Sequence, residues 1–538
     1  MVKDGKICFA QTADKRDVCI LPSMANRHGL IAGATGTGKT VTLKVLAESF
    51  SDIGVPVFLA DVKGDLAGMC QTGENSPDMQ KRIEKFGLGS FSYRSYPVNF
   101  WDIFAQKGMP LRTTISEMGP MLLSRLLDLN DVQSDILTVL FKIADDNGWL
   151  LIDTKDLKAM LSYVEQHASD YRADYGNITS ASIGAIMRPL VALETEGASN
   201  FFGEPALDIR DWFTVDSTGK GLINILDSES LINKPRMYAT FLLWMLSELF
   251  ETLPETGDCA KPKMVFFFDE AHLLFKDAPK VLLEKIEQVV KLIRSKGVGI
   301  FFVTQNPHDI PDGVLSQLGN KIEHALRAYT PADQKAVKAA ADSFRTNPAF
   351  DTAKTIMELG TGEAVVSVLD EKGVPTVAER AFVLPPQSKM GAVDDAVRQN
   401  VIKGCLLYSK YQNSFDRDSA YEFFKRRGLE DAAAAQKQET AQNQGASRRQ
   451  SNESSDPFDA FLGTAGRPAT ERGYSTRTVQ SAGARIAHSA ERTAAGTIGR
   501  QIGRQIGKSV LGSSFGSTLG GNIGASLGRG LLNTLFRL

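Results

Sequence analysis

Cysteine is scarce in this 538-residue chain: Cys8, Cys19, Cys70, Cys259 and Cys405 are scattered, odd in number and form no CxxC pair. That spacing argues against a disulfide framework or a zinc site, and it leaves reduced structural thiols as the expectation. Long hydrophobic runs are missing too. The N-terminus, MVKDGKICFA, has no apolar stretch of signal-peptide type, and the apolar runs elsewhere fall short of the roughly 20 residues that span a bilayer. The chain is therefore expected to be cytoplasmic. An excess of basic charge is also absent, the net charge being -2. From Asp431 onward there are 13 Lys and Arg against 7 Asp and Glu, which leaves 48 against 56 in the preceding body. An acidic body lacks the broad basic footprint of a non-specific nucleic-acid binder, although a basic channel can be local.

What the sequence does contain is a set of apolar runs ending in polar or turn residues. GLIAG (29 to 33), VPVFLAD (55 to 61), MVFFFDE (264 to 270) and VGIFFVTQ (298 to 305) have this form. Continuous apolar runs separated by helical patterns predict central strands of a parallel sheet covered on both faces, an α/β core. KGLINILDS (220 to 228), KIEHALRAY (321 to 329) and a hairpin turning at Glu371 to Gly373 add further strands. About 200 residues separate the second and third runs, too many for one crossover, and stretches such as 115 to 129 and 131 to 148 read as helices. The expected organisation is a discontinuous core of residues 1–80 and 214–435, interrupted by a mainly helical domain over 81–213. Residues 436–492 turn to Gln, Ser, Asn, Ala, Thr and Arg, a composition that buries too little apolar area to fold alone, and are expected to be a disordered linker.

The tail, 493–538, carries a four-residue repeat: Gly499, Gly503 and Gly507, then Gly512, Gly516, Gly520, Gly524 and Gly528. Ile498, Ile502 and Ile506 follow the same period, as do Arg500, Arg504 and Lys508. On a helix this period lines one face with small residues that a second helix can approach. Glycine costs a helix about 1 kcal/mol per residue, so such a helix needs a partner. Three readings stay open: low complexity without structure, docking to a partner helix, and attachment to an anionic membrane surface.

The chemistry is concentrated in GATGTGKT. Gly33, Gly36 and Gly38 permit backbone angles that turn N–H groups toward phosphate oxygens, with Ala34, Thr35, Thr37 and Val41 completing the nucleotide-binding stretch. Lys39 is placed to reach the β and γ phosphates, and Thr40 to offer a hydroxyl to Mg²⁺ at a helix start. The run VFFFDE supplies the partner carboxylates. Asp269 is expected to hold Mg²⁺, partly through water, and Glu270 to polarise an attacking water. An acidic cap on the following helix would have the same local appearance but leaves the pairing with the loop unexplained. Gln305, closing the next strand, is a candidate γ-phosphate sensor. Asp61 and Asp65 of DVKGD lie at the carboxyl end of the second strand, where open α/β sheets place ligands, or else stabilise a turn there. Residues 269 to 272 spell DEAH, yet the Ser-Ala-Thr motif and second lobe of two-lobed helicases are not found.

GLIAGATGTGKT, DVKGD, FFFDEAH, RSKGVGIFFVTQNP and LGNKIEHALRAYTP together resemble the HerA-like branch of the HerA and FtsK superfamily of P-loop ATPases, over most of residues 1 to 430. The resemblance implies a RecA-like core, ATP and Mg²⁺ as cofactors, and a homo-hexamer with ATP at subunit interfaces, translocating DNA. It also implies an arginine supplied by the neighbour, with Arg294 as first candidate and Arg327 as second; a surface ion pair is the alternative for both. Because the loop begins at residue 33, the β-barrel preceding the motor in typical HerA proteins is expected to be missing. A competing reading is a nucleotide-switched assembly protein whose tail docks to a partner or membrane and which moves no nucleic acid.

Overall fold

The computed structural model describes residues 1–428, apart from 90, 258 and 277–279. The linker and the glycine-repeat tail therefore lie outside the described residues. Thirteen strands form one sheet. In chain order they are β1 (Val2–Lys3), β2 (Lys6–Thr12), β3 (Asp17–Ile20), β4 (Gly29–Ala32), β5 (Val57–Asp61), β6 (Val98–Asp102) and β7 (Met109–Pro110). There follow β8 (Ile223–Asp227), β9 (Met264–Phe268), β10 (Val298–Thr304), β11 (Asn320–His324), β12 (Glu363–Ser367) and β13 (Glu379–Val383). Across the sheet the order is β1-β2-β13-β12-β11-β4-β10-β9-β5-β8-β6-β7, with β3 pairing β2.

Every pairing from β11 through β4, β10, β9, β5 and β8 to β6 is parallel, and β11 to β12, β12 to β13 and β13 to β2 are antiparallel. The parallel centre explains the continuous apolar runs, since helices cover both faces and no side chain there needs to meet water. On one face Phe50, Phe267 and Phe301 pack with ring centroids 5.2 to 6.3 Å apart. On the other, Phe58, Trp212 and Phe266 do the same. Phe266 and Phe267 thus serve opposite faces, as the two-residue period of a strand requires. Each fully buried ring contributes about 1.5–3 kcal/mol of transfer free energy. In the stretch 81–213 the helices Ile115–Leu126 and Asp131–Asn147 lie where the apolar spacing marks them, but β6, which joins β8 in the sheet, carries no such mark in the sequence.

The expectation of five reduced thiols is corrected. Cys8 and Cys19 are opposite each other in the antiparallel pair β2–β3 and form a disulfide. Their 11-residue separation does not announce a shared register, because the turn between the two strands sets it; Cys70, Cys259 and Cys405 are free. The chain divides into two compact units. The larger holds the whole sheet. The smaller contains 140–151, 155–177 and, of the described residues, 417–428, and its core is aromatic: Tyr163 stacks on Phe424 at 4.4 Å, and Trp149 meets both Phe423 and Phe424. Among the described residues no helix is long and apolar enough to cross a membrane.

Candidate functional site

The glycine loop leaves β4 and runs into the helix Lys39–Asp52, so the amide-rich end of that helix faces the loop. Gly33, at φ 143°, has no room for a side chain: a Cβ there would lie 2.5 Å from Cβ of His324. Gly36 and Gly38 also take positive φ, of 77° and 118°. The loop is closed on itself by Thr37 Oγ1, which donates to the Ala34 carbonyl at 2.7 Å, and by Lys39 Nζ, which donates to the carbonyls of Gly33 at 2.6 Å and Ala34 at 3.1 Å. Burial depresses the ammonium pKa of Lys39, while Asp269 and Glu270 oppose that effect.

Three braces hold the loop to the strands beside it. Ala34 N–H donates to the Ala325 carbonyl at 2.8 Å, and Gly362 N–H donates to the Thr37 carbonyl at 2.8 Å. His324 bridges the two structures, with Nε2 at 2.8 Å from Thr42 Oγ1 and Nδ1 at 2.9 Å from the Glu363 carbonyl. His324 is fully buried, and desolvation lowers its pKa to about 4, so it acts as a neutral strut. Its neighbour on β11, Glu323, is buried with Oε1 lacking a hydrogen-bond partner, and burial pushes its pKa up to about 8.

The two carboxylates follow one strand, β9, and Gln305 follows its neighbour, β10. Asp269 follows β9; its backbone carbonyl accepts from Tyr238 Oη at 2.8 Å, and its Oδ1 accepts from Glu270 N–H at 3.0 Å. Burial first, and then the charge of Glu270, raise the Asp269 pKa to about 6. Glu270 sits at φ 48°, a left-handed conformation that costs a non-glycine residue on the order of 1–3 kcal/mol. Such strain persists only where the surroundings fix it. Here Gln305 Nε2, at the exit of β10, donates to Glu270 Oε1 at 3.2 Å, and Gln305 Oε1 accepts from Thr35 Oγ1 at 3.4 Å. Glu270, Gln305 and the loop are thereby linked in one chain of contacts.

The loop after β5 adds a second acidic pair. Asp61 is buried and uses Oδ2 to accept from Leu66 N–H at 3.1 Å, which is the turn-stabilising role, while Oδ1 lacks a partner. Burial, reinforced by Asp65, raises its pKa to about 7. Asp65 meets the Thr40 hydroxyl, and burial raises its pKa as well. Thr40, Asp65 and Asp269 together offer hard oxygen donors, the set suited to Mg²⁺. A divalent cation would favour the ionised carboxylates that burial alone disfavours.

Among the described residues neither Arg294 nor Arg327 forms a hydrogen bond or ion pair with this cluster. Arg294 precedes β10, at the opposite end of the strand from Gln305, and its charge is felt by His28 at that far edge. Seven residues of strand, about 23 Å at 3.3 Å each, separate the two edges, so Arg294 does not serve the loop of its own chain. Arg327 is exposed near the loop, with Nη1 donating to the Met357 carbonyl at 3.0 Å. His324, Glu323, Tyr238 and His272 also border the site, and none is picked out as a site residue by the sequence, although His272 ends the DEAH run and Glu323 and His324 lie within LGNKIEHALRAYTP. The first two fall inside an ordinary strand pattern, where nothing marks a side chain as aimed at the loop.

Residues 7–518 match the family described as Helicase HerA-like C-terminal. The chain is 24% identical to a DNA double-strand break repair helicase HerA of Sulfolobus acidocaldarius, covering 63% of this chain and 62% of that one. It is also 24% identical to a probable helicase of Methanocaldococcus jannaschii, covering 64% and 60%. The chain thus spans about three fifths of the length of these curated relatives. Among solved structures, similarity extends to the bacterial conjugative coupling protein TrwB, at 13% identity, 73% and 91% coverage and a TM-score of 0.46. VirB4 of Thermoanaerobacter pseudethanolicus matches at 15% identity, 73% and 98% coverage and a TM-score of 0.43.

Proposed function

Since the chain belongs to the Helicase HerA-like C-terminal family, we propose that it is a Mg²⁺-dependent ATPase that assembles as a ring and acts on DNA. The observation that carries this reading is the linked set Thr35, Gln305 and Glu270 beside a closed phosphate loop. In the proposed reaction, loop amides from Gly33 to Thr40 bind the phosphates, and Lys39 exchanges its contacts with loop carbonyls for the β and γ phosphate oxygens. Thr40 and Asp269, with Asp65 nearby, would hold Mg²⁺, which would supply positive charge to offset that of the phosphates. Glu270 accepts a proton from the attacking water, and Gln305 fixes the orientation of that carboxylate.

Arg294 and the hexamer belong to the same reading. An arginine on the edge remote from its own loop can serve a loop only in a neighbouring protomer, which requires assembly. The relatives named as DNA repair helicases suggest DNA as the track. A nucleotide-switched assembly protein is the competing reading, favoured by the acidic body, which carries 48 Lys and Arg against 56 Asp and Glu before Asp431. Hydrolysis rates measured with and without duplex and single-stranded DNA, alongside native mass, separate the two. Stimulation by DNA in a multimer is expected. A monomer under all nucleotide conditions contradicts the role of Arg294, and hydrolysis indifferent to DNA contradicts the track.

A further inference from the structure

Beside the catalytic carboxylate lies a cavity of about 350 Å³ lined by His272, Phe275, Lys276, His308, Asp309 and Pro311. It is built from the two segments that follow β9 and β10, the same strands that deliver Glu270 and Gln305. One of its six lining residues, Lys276, is a cation, and two, His272 and His308, carry imidazole N–H donors. The one acid, Asp309, already accepts a hydrogen bond from Thr304 Oγ1 at 3.2 Å. Lys276 and His308 are exposed, and among the described residues neither forms an ion pair. His272 reaches both ways: it lines the cavity, and its Nδ1 stands 3.4 Å from Glu270 Oε2, close to it but without a hydrogen bond.

From this arrangement we infer that the cavity receives the phosphodiester backbone of a DNA duplex, and that His272 reports the occupancy to Glu270. The inference rests on the DNA reading above. A body with an acidic balance does not attract nucleic acid over its whole surface, so contact must be made where cations are gathered. The cavity is such a place: a lysine and two imidazoles surround a volume large enough for a phosphate and its sugar, and Phe275 and Pro311 supply apolar contact for the sugar. A phosphate drawn to Lys276 and His308 competes for the N–H groups of His272 and shifts its ring relative to Glu270. Among the described residues the side chain that hydrogen-bonds this carboxylate is Gln305, so loss or gain of the His272 contact changes where it points. His272 is on this account a positioning residue, acting through Glu270 and touching no nucleotide.

The test uses the full chain, a labelled mixed-sequence duplex read by fluorescence anisotropy across a salt series, and the ratio of hydrolysis rates with and without that duplex. The double variant Lys276→Ala with His308→Ala is expected to bind the duplex about tenfold more weakly and to lower the slope of log affinity against log salt by about 1. His272→Ala is expected to lower the rate ratio toward unity with a smaller loss of duplex affinity than the double variant, and His272→Gln, whose amide can donate to Glu270, to restore the ratio. Parental affinity and slope in the double variant would overturn the binding site. A normal rate ratio in His272→Ala would overturn the relay. If the double variant binds duplex normally but loses its native mass, the cavity is a contact between protomers and the inference falls. Absence of duplex binding by the parental chain overturns the DNA reading itself, and this inference with it.

Discussion

The two ends of the parallel strands partner their buried polar side chains differently. At the amino-terminal edge, His28 is fully committed: Nδ1 accepts from Ile300 N–H at 3.0 Å, Nε2 lies 2.8 Å from the Val290 carbonyl, and burial lowers its pKa to about 4. At the carboxyl edge the acids are held above their ordinary range, Asp269 near 6 and Asp61 near 7, and Asp61 and Glu323 each keep one buried oxygen without a partner. At the first edge His28 is satisfied by the chain's own groups, and a neighbouring buried oxygen without a partner, Asn26 Oδ1, belongs to a neutral amide. The other edge keeps charge in a form that an added cation and phosphate would complete. Backbone strain does not follow this division, since His28 at φ 58° and Glu270 at φ 48° both lie in the left-handed region. What separates the edges is uncompensated charge, which gathers where a ligand would resolve it.

Substitutions at each edge sharpen that contrast. Gly33→Ala should have the largest effect, since the new methyl would meet His324 at 2.5 Å on a backbone with φ 143°. Destabilisation of about 3 kcal/mol, with nucleotide binding lost, is expected in thermal and titration measurements. His28→Ala removes two buried hydrogen bonds at the far edge and should cost about 2 kcal/mol in denaturant unfolding while nucleotide affinity per folded molecule is kept. Equal loss of binding in both variants would break the comparison.

A smaller effect is expected at Glu323, whose folded pKa is raised from 4.5 to about 8 by burial. A raised carboxyl contributes stability that is complete below the unfolded value of 4.5 and is lost as pH rises through the folded value near 8. Glu323→Gln should therefore unfold at a higher temperature than the parent by a margin that grows from pH 5 to pH 8. A margin that shrinks with pH over this window would place a cation against the Glu323 carboxylate.

How much of this was legible in the sequence follows from what each signal encodes. The glycine loop, Asp269 and Glu270 were readable because their chemistry needs particular residue types at fixed spacing, and the structure gathers them with Gln305 on neighbouring strand exits. The strut His324 was not, because its role depends on β11 lying next to β4, a pairing between residues almost 300 positions apart. The Cys8–Cys19 bridge was hidden for the related reason that register, rather than separation, decides it. Strand β6 lacked a mark because VNFWD mixes polar and aromatic residues, and its Asn99 and Asp102 are buried through hydrogen bonds instead of by apolar character. Asp61 and Asp65 were marked as a pair, and the fold separates their roles: one ties its turn and the other meets Thr40.

The central claim is that Glu270 activates water at a loop that Lys39 and Thr40 prepare for ATP. Glu270→Gln removes the base and keeps the hydrogen-bonding shape, so the direct measurement is steady-state ATP hydrolysis and ATP binding on the same preparation. Hydrolysis reduced by about 100- to 1000-fold with binding retained is the predicted result. Hydrolysis at the parental rate would contradict the account.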